Sequence, residues 1–261
     1  MINILFLGEI IGINTVKCLK KSLKDIKNEF NINMVIANAD GASDGYGLLA
    51  DTAFQIKNAG VDIITGGDLI YNKKDIKDAL NKMGFILRPF NLPAKSVGKG
   101  FTTFRINDSI SIGVLNLLGR TNFNKIFPND PFYAADKGIE KLSEQTKIII
   151  VDFHGGTTSE IQSAHWYLKG KVSAVMGTHL RILTTDNRVI DNTAIITGTG
   201  YCGGYPSITG LDPETEIKKI KSGQFYYSKI VNENVELQGA IITIDETTGF
   251  AQNIEIFKKT I

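Results

Sequence analysis

The chain has 261 residues, of which 43% are hydrophobic and 21% charged, and it carries a formal net charge of +2 at pH 7. These values are typical of a soluble globular protein with a sizeable core, and without a basic run they predict no strong binding to duplex nucleic acid. No stretch approaches the roughly 20 apolar residues of a membrane span, and the isolated Cys18 and Cys202 favour a reduced, cytoplasmic compartment.

Apolar, β-branched runs separated by amphipathic segments predict alternating strands and helices. The first run, Ile2 to Leu7, is too short and lacks the basic start of a signal peptide, so it is predicted to be a strand. The later predicted elements are helix 16–30, strand 34–37, helix 48–58, strand 61–65, helix 73–82, a loop over 86–100, a hairpin of 102–106 and 110–115, a loop over 128–135, helix 136–146, strand 148–153, helix 158–169, strand 172–176, β runs 182–185, 188–190 and 194–196, a glycine-rich loop over 198–205, helix 214–222, and strands near 236–244 and 254–257. No repeat or linker divides the series, which predicts one α/β domain over residues 1–261.

Three predicted strands run into glycine and an acidic residue. These residues are Glu9, Asp40 and Asp68. If the strands are parallel neighbours, the three carboxylates lie together on the carboxyl edge of the sheet, where ligands bind in open α/β folds. Asp and Gly are also common in loops and helix caps, which explains any single instance better than the repetition.

Two of the three histidines follow predicted strands in the same way. His154 ends the run Ile148 to Phe153, and His179 follows the run that ends at Met176. Either residue alone is readily explained as a loop histidine bonded to backbone, but the pair favours a metal site. The third, His165, lies on a predicted helix beside Trp166, and we expect it to be structural or solvent-facing.

The chain resembles the YmdB-like family of calcineurin-type metallophosphoesterases over nearly its full length. The resemblance rests on INILFLGE at 2–9, VIANADGASDGYGL at 35–48, VDIITGGD at 61–68, LRPFNLP with GKG at 87–100, NLLGR at 116–120, VDFH with TSE at 151–160, WYLKGKVSAVMGTH at 166–179, and the G-x-x-x-x-YPSITG pattern at 200–210. It implies a metallophosphoesterase-type β-sandwich core flanked by helices, two metal ions at the strand ends, hydrolysis of phosphodiesters including cyclic nucleotides, and a homo-oligomer.

The sequence departs from this family at its metal-binding positions. The family pattern has Asp at Glu9, Glu at Asp40, Asn at Gly41, an Asn-His pair at Asp68-Leu69, and a His-Thr-His sequence at His179-Leu180-Arg181. By the resemblance, one ion would be held by Asp40, Asp68, His154 and His179, all of which have donor atoms. The second would need Glu9, Asp40, Gly41 and Arg181, and neither glycine nor a guanidinium can ligate a cation. We therefore expect one divalent ion (Mn, Fe or Zn), with Glu9 as an additional candidate ligand.

Two positions decide what chemistry remains. The family's general-acid histidine is replaced by Leu69, which has no proton to deliver. Arg181 brings a fixed positive charge that either clamps a phosphate or forms a salt bridge with Glu9 or Asp40. The sequence thus predicts a divergent single-metal phosphodiesterase of low activity, acting on a cyclic nucleotide or related phosphodiester. The alternative is a catalytically impaired member that binds a phosphate-containing ligand or a protein partner in a regulatory role.

Overall fold

A computed structural model describes residues 1–261. The strands are β1 Ile2–Leu7, β2 Glu9–Ile10, β3 Met34–Asn38, β4 Ile63–Thr65, β5 Ile86–Leu87, β6 Phe101–Arg105, β7 Ser111–Leu118, β8 Ile148–His154, β9 Ala174–Thr178, β10 Arg188–Ile190, β11 Thr193–Ile196, β12 Tyr201–Cys202, β13 Glu236–Ile244 and β14 Ala251–Thr260. The helices are α1 Ile13–Glu29, α2 Ala50–Asn58, α3 Ile76–Lys82, α4 Pro131–Ser143, α5 Thr158–Leu168 and α6 Pro213–Ser222.

Two six-stranded sheets form the centre of the molecule. The first has the order β14-β13-β1-β3-β4-β5 and the second β10-β11-β9-β8-β7-β6, while β12 and β2 form a separate two-stranded pair. Strands β1, β3, β4 and β5 are parallel, as are β7, β8, β9 and β11. The predicted β-sandwich core flanked by helices is confirmed.

Side-chain alternation explains why the sheets pack face to face. In β1, Ile2, Ile4 and Phe6 enter a buried apolar cluster that also contains Ile148 and Ile150 of β8. The intervening residues of each strand face the opposite way, as the two-residue period of a strand requires. On the outer face of the first sheet they pack against α1, α2 and α3, and on that of the second against α4 and α5. Both sheets are therefore covered on both faces, and their parallel strands are apolar along most of their length.

The structure corrects several predicted elements. Helix α4 begins at Pro131 within the predicted loop 128–135, because Asp130 accepts hydrogen bonds from the backbone N–H groups of Phe132 and Tyr133 and proline suits the first helical position. Residues 182–185 form no strand and contribute only a bridge between Leu183 and Thr199. Short strands β2, β5 and β12 lie in segments predicted as loops or turns, too short to show a periodic pattern.

None of the six helices combines the length and the apolar character that crossing a membrane requires.

Candidate metal centre

The carboxyl ends of both sets of parallel strands meet in one cleft. From the first sheet come Glu9 in β2, directly after β1, Asp40 after β3, and Asp68 after β4. From the second sheet come His154, the last residue of β8, and His179, which follows β9. The structure thus brings all five predicted metal-ligand candidates to one side of the molecule, with no break in the register of the parallel strands that carry them.

Asp68, His154 and His179 form a compact group of possible metal ligands. One donor atom from each residue lies within 4.8 Å of the others. The Nε2 atom of His154 is 3.2 Å from Oδ1 of Asp68 and 3.2 Å from Nδ1 of His179. Two ligand atoms that share a tetrahedral ion at about 2 Å are separated by about 3.3 Å. Nε2 of His154 and Nδ1 of His179, which are 3.2 Å apart, are close to that spacing.

The two histidines have opposite protonation preferences. His154 is fully buried, which opposes its charged form, but the hydrogen bond to Asp68 and the charges of Asp40, Asp68 and Glu9 raise its pKa to about 9. Burial, together with the charge of His154, lowers the pKa of His179 to about 4. At neutral pH without a cation, His154 therefore carries the positive charge that balances the carboxylates, and His179 is neutral.

Asp40 lies beside this group and is anchored by backbone. Its Oδ1 accepts from the N–H of Gly67 at 2.5 Å and its Oδ2 from the N–H of Leu69 at 2.8 Å. Oδ2 is also 3.8 Å from Nε2 of His154. Burial, helped by the nearby charges of Asp68 and Glu9, raises the pKa of Asp40 to about 7. Each carboxylate oxygen keeps a lone pair beyond its backbone bond, so Asp40 can still ligate a cation.

Arg181 forms an ion pair with Glu9 across the cleft. Its Nη2 donates to Oε1 of Glu9 at 2.6 Å, and only 2% of the Glu9 side chain and 15% of that of Arg181 are exposed. A Cβ atom on Gly41 would lie 2.6 Å from Oε1 of Glu9 and 3.0 Å from Nη2 of Arg181. The ion pair therefore occupies the space of any side chain at position 41. Of the alternatives left open by the sequence, the salt bridge to Glu9 is present.

Two of the cleft residues have left-handed backbone. The φ angles of His179 and Arg181 are +83° and +54°, a region that non-glycine residues enter at a cost of about 1–3 kcal/mol. Leu180 lies between them, so the chain turns sharply twice within three residues. Strain of this kind persists where the surroundings fix the side chains, here the histidine in the ligand group and the arginine on Glu9.

The cleft itself has a volume of about 300 Å³. It is lined by Glu9, Asp40, Asp68, Leu69, His179, Leu180, Arg181 and Thr209. Leu69 is therefore at the cleft, where it offers no titratable group. A larger open depression of about 720 Å³ lies elsewhere, along the turn between β6 and β7, and none of the predicted site residues borders it.

A buried polar layer lies directly beneath His154 and was missed by the sequence analysis. Asp152 accepts from Asn38 Nδ2 at 3.0 Å, Thr65 Oγ1 at 2.5 Å and Thr178 Oγ1 at 2.6 Å. Burial raises the pKa of Asp152, which His154 and these hydrogen bonds oppose. The signal was available: in β3, β4, β8 and β9 the inward-facing positions are apolar until the carboxyl end, where they become polar, as in Ile148, Ile150, Asp152 and His154.

Phe123 was also missed. Its ring stacks at 6.1 Å from that of His154 and meets that of His179 edge-on at 4.9 Å. It lies in a loop without regular structure, and no periodic pattern marks it. Phe123 thus forms an apolar wall against both histidine rings, limiting their rotation and the access of water.

His165 lies away from the cleft, as expected from its place on α5. It is 3% exposed, and burial lowers its pKa to about 4. Its Nε2 has no hydrogen-bond partner. Of the two predicted roles, structural or solvent-facing, its burial fits the structural one.

The side chains of the cleft form a donor set that fits a divalent ion. Asp68, His154 and His179 offer one carboxylate oxygen and two imidazole nitrogens, with Asp40 adjacent, which suits Zn²⁺, Fe²⁺ or Mn²⁺. On the other side of Asp40, the guanidinium of Arg181 lies against Glu9, and position 41 has no side chain. This side of Asp40 therefore carries the fixed positive charge of Arg181.

Gly67→Ala tests how tightly the strand end fixes His154. A Cβ at position 67 would lie 2.2 Å from Nε2 of His154, so the imidazole must move. We expect a loss of about 1–3 kcal/mol in the free energy of unfolding and at least about a tenfold loss of Zn²⁺ affinity. Gly84→Ala is the matched control, since nothing lies within 4 Å of that position. Unchanged affinity in Gly67→Ala, measured by chelator competition, would contradict a fixed ring.

Comparison with known proteins gives matches along almost the entire chain. A family profile described as YmdB-like protein matches residues 5–257. The 2′,3′-cyclic-nucleotide 2′-phosphodiesterase of Bacillus subtilis (strain 168) is 35% identical over 253 residues, covering 97% of this chain and 95% of that protein. The crystal structure of a novel phosphatase from Mycoplasma pneumoniae superimposes with a TM-score of 0.92 at 28% identity, over 99% of this chain and 93% of the other. A hypothetical protein from Thermus thermophilus gives 0.90 at 27% identity, over 99% of both chains.

Proposed function

The chain belongs to the YmdB-like protein family, and from that premise and the geometry of the cleft we propose that it is a phosphodiesterase that works with a single divalent ion. Its core is the metallophosphoesterase-type fold that the sequence predicted. The observation that carries the proposal is the group of Asp68, His154 and His179, whose donor atoms lie within 4.8 Å of one another. Asp40 would complete the ligand set.

Each residue of the cleft has a role in this proposal. Asp68, His154 and His179 would hold the ion, and the backbone N–H groups of Gly67 and Leu69 fix the Asp40 carboxylate beside them. Bound there, a divalent ion supplies a Lewis acid that polarises a phosphoryl oxygen. Phe123 excludes water from the side of the histidine rings, which strengthens the electrostatic interactions within the cleft.

Arg181 is proposed to bind the phosphate of the substrate while remaining paired with Glu9. The guanidinium has five N–H donors, and its protein contacts are Oε1 of Glu9 and a long contact of 3.5 Å to the carbonyl of Gly45, both made by Nη2. Its charge is permanent, because Glu9 and Asp40 raise its already high pKa despite burial. The remaining donors suit the oxygens of a phosphodiester, in the cleft that Arg181 lines. Salt bridge and phosphate clamp are therefore compatible roles.

Turnover should be slow because nothing at position 69 protonates the leaving group. Leu69 borders the cleft where the resemblance places a general-acid histidine. Loss of such a group typically lowers the rate by about 10²- to 10⁴-fold. The leaving oxygen must then take its proton from water, and a leaving group of low basicity is favoured. A cyclic nucleotide or related small phosphodiester is the proposed substrate class, by analogy with the Bacillus subtilis relative.

Two measurements test the proposed function: the amount of metal bound per chain, and then the rate of phosphodiester hydrolysis. The protein is purified without chelator, and bound Mn, Fe and Zn are counted per chain. Hydrolysis of bis-(p-nitrophenyl) phosphate and of a 2′,3′-cyclic nucleotide is then measured with and without the ion. We expect one ion per chain and slow, metal-dependent hydrolysis that Asp68→Ala abolishes. Protein that holds no metal and has no affinity for added Mn²⁺ would rule the proposal out.

A second candidate function is favoured by the Arg181–Glu9 pair and Leu69 together. A cleft with a fixed cation and no proton donor also suits a protein that binds a phosphate-containing ligand without cleaving it, in a regulatory role. The discriminating result would be one bound ion and micromolar binding of a cyclic nucleotide, with no hydrolysis above that of the Asp68→Ala variant.

Metal affinity should rise with pH. Ligation through Nε2 requires His154 to lose a proton, and in the metal-free protein its pKa is raised to about 9. Each bound ion displaces this proton below about pH 9, and below about pH 7 it also displaces the proton of Asp40. Affinity should therefore rise about tenfold per pH unit between about pH 7 and 9, more steeply below about pH 7, and level off above about pH 9. Zn²⁺ titrations between pH 6 and about 9 measure the slope. A flat profile would mean that His154 is not a ligand.

A further inference from the structure

The buried layer below the cleft contains a continuous hydrogen-bonded connection from a carboxylate to His154. Thr178 Oγ1 is 2.6 Å from Oδ1 of Asp152 and 2.9 Å from Nδ1 of His154. Asp152 and His154 are fully buried, and Thr178 is 2% exposed. Since protein groups enclose all three atoms, their geometry decides where the proton on the histidine ring resides.

The direction of these hydrogen bonds follows from counting protons. A threonine hydroxyl has one hydrogen, and here it is donated to the Asp152 carboxylate. The same oxygen can then only accept at its 2.9 Å contact with His154, so Nδ1 must carry a hydrogen there, while the amide nitrogen of Asn38 lies farther from Nδ1, at 3.5 Å. The other carboxylate oxygen, Oδ2, accepts from Thr65 and Asn38, which keeps Asp152 an acceptor on both sides.

We propose that Asp152 and Thr178 are positioning residues that fix the Nδ1–H form of His154 and thereby leave Nε2 as the ligand atom facing the cleft. Nε2 is the atom that lies 3.2 Å from both Asp68 Oδ1 and His179 Nδ1. A hydrogen bond on the far nitrogen also fixes the plane of the ring and makes the near nitrogen a stronger donor to a cation. The consequence for metal affinity rests on the proposed function; the position of the proton does not.

Nuclear magnetic resonance of protein labelled with ¹⁵N-histidine reads the proton position directly. The chain has only three histidines, so three ring systems are expected in long-range ¹⁵N–¹H spectra. Nδ1 of His154 should be protonated both in metal-free protein and with Zn²⁺ as a diamagnetic probe, and Zn²⁺ should remove hydrogen from Nε2 alone. An unprotonated Nδ1 in native protein would overturn the proposal without any variant.

Variants test the energetic consequence. Thr178→Val removes the acceptor for Nδ1–H, and we expect Zn²⁺ affinity to fall by about 10- to 100-fold with a shifted Nδ1 resonance. Thr178→Ser should restore both. Asp152→Asn should also weaken binding, because a carboxamide that donates to Thr178 turns the hydroxyl proton toward Nδ1 and moves the ring hydrogen to Nε2.

The matched control is Thr65→Val, which removes a hydrogen bond from the same carboxylate without touching Thr178. It should keep native Zn²⁺ affinity and the native Nδ1 resonance. The proposal would be overturned if Thr178→Val kept the native Zn²⁺ affinity and the native Nδ1 resonance. It would also be overturned if Thr65→Val lost as much Zn²⁺ affinity as Thr178→Val, because the buried polar layer would then act only through stability. Native protein with a protonated Nδ1 but no Zn²⁺ binding would count against the proposed function and support the assigned proton position.

Discussion

Replacing Arg181 by Met should lower the free energy of unfolding by about 3–5 kcal/mol, measured by urea denaturation in the presence of chelator. The cost arises because Glu9 is left as a buried carboxylate without its positive partner. Oε2 of Glu9 already has no hydrogen-bond partner, so loss of the 2.6 Å bond to Oε1 leaves both oxygens unsatisfied. Breaking a buried pair by removing one member is more destabilising than replacing both.

A double-mutant cycle separates the energy of the Arg181–Glu9 ion pair from the other effects of Arg181→Met. Glu9→Gln combined with Arg181→Met removes the buried charge and should recover most of the lost stability. Arg120→Met is the matched control: its side chain is exposed and makes no ion pair, so a change within about 0.5 kcal/mol is expected. If Arg181→Met is as stable as native protein, or the double variant is no better than the single one, the ion pair is not what holds this side of the cleft together.

Combining Arg181→His with Gly41→Asn should raise the bound Mn²⁺ from one to two equivalents per chain. The double change restores an imidazole and an amide, the ligand types that the family pattern places at these positions. The structure explains why both are needed. An asparagine Cβ at position 41 would lie 2.6 Å from Oε1 of Glu9, 2.7 Å from Cδ1 of Ile11 and 3.0 Å from Nη2 of Arg181. Arg181→His releases Glu9 from the ion pair so that its carboxylate can move aside, whereas a histidine at 181 alone leaves position 41 without a donor.

The single variants are the controls. Gly41→Asn alone must displace the Arg181–Glu9 pair, so it should lose stability and still bind one equivalent. Arg181→His alone should also bind one. A folded double variant with unchanged stoichiometry would show that Arg181 is not what excludes the second ion. Turnover of the double variant should stay low until Leu69→His is added, which should raise the rate by about 10²- to 10⁴-fold.

The sequence predicted the cleft because the signal repeats. Glu9, Asp40 and Asp68 each follow an apolar run, and so do His154 and His179; parallel strands bring such positions to one edge. The polar layer followed from the same alternation but required knowing which face of each strand points inward. Asp152 lies two residues before His154 in that inward pattern, and Thr178 ends the inward series of β9 that begins with Ala174 and Met176. Both could therefore be predicted once the sheets are known to pack face to face.

Other features depend on contacts that no local pattern encodes. Arg181 had Glu9 and Asp40 as possible partners, and its choice was settled by chain packing between residues 172 positions apart. The start of α4 was misplaced because a Pro-rich segment was interpreted as a loop, although Asp130 and Pro131 together form a helix start. Strand β12 in the glycine-rich loop exists only because it pairs with β2.

The depth of Asp152 and His154 has a consequence for the effect of ionic strength. Salt screens interactions between exposed charges over about 10 Å at 0.1 M, but it screens fully buried groups much less. The carboxylates around the proposed cation site are buried at Asp40 and Asp152 and mostly buried at Asp68, while the charge of Glu9 is balanced by Arg181. The anionic substrate that we propose would instead approach Arg181 through solvent, from the open side of the cleft. Added salt should therefore lower the association rate of the substrate and leave the affinity for the cation nearly unchanged.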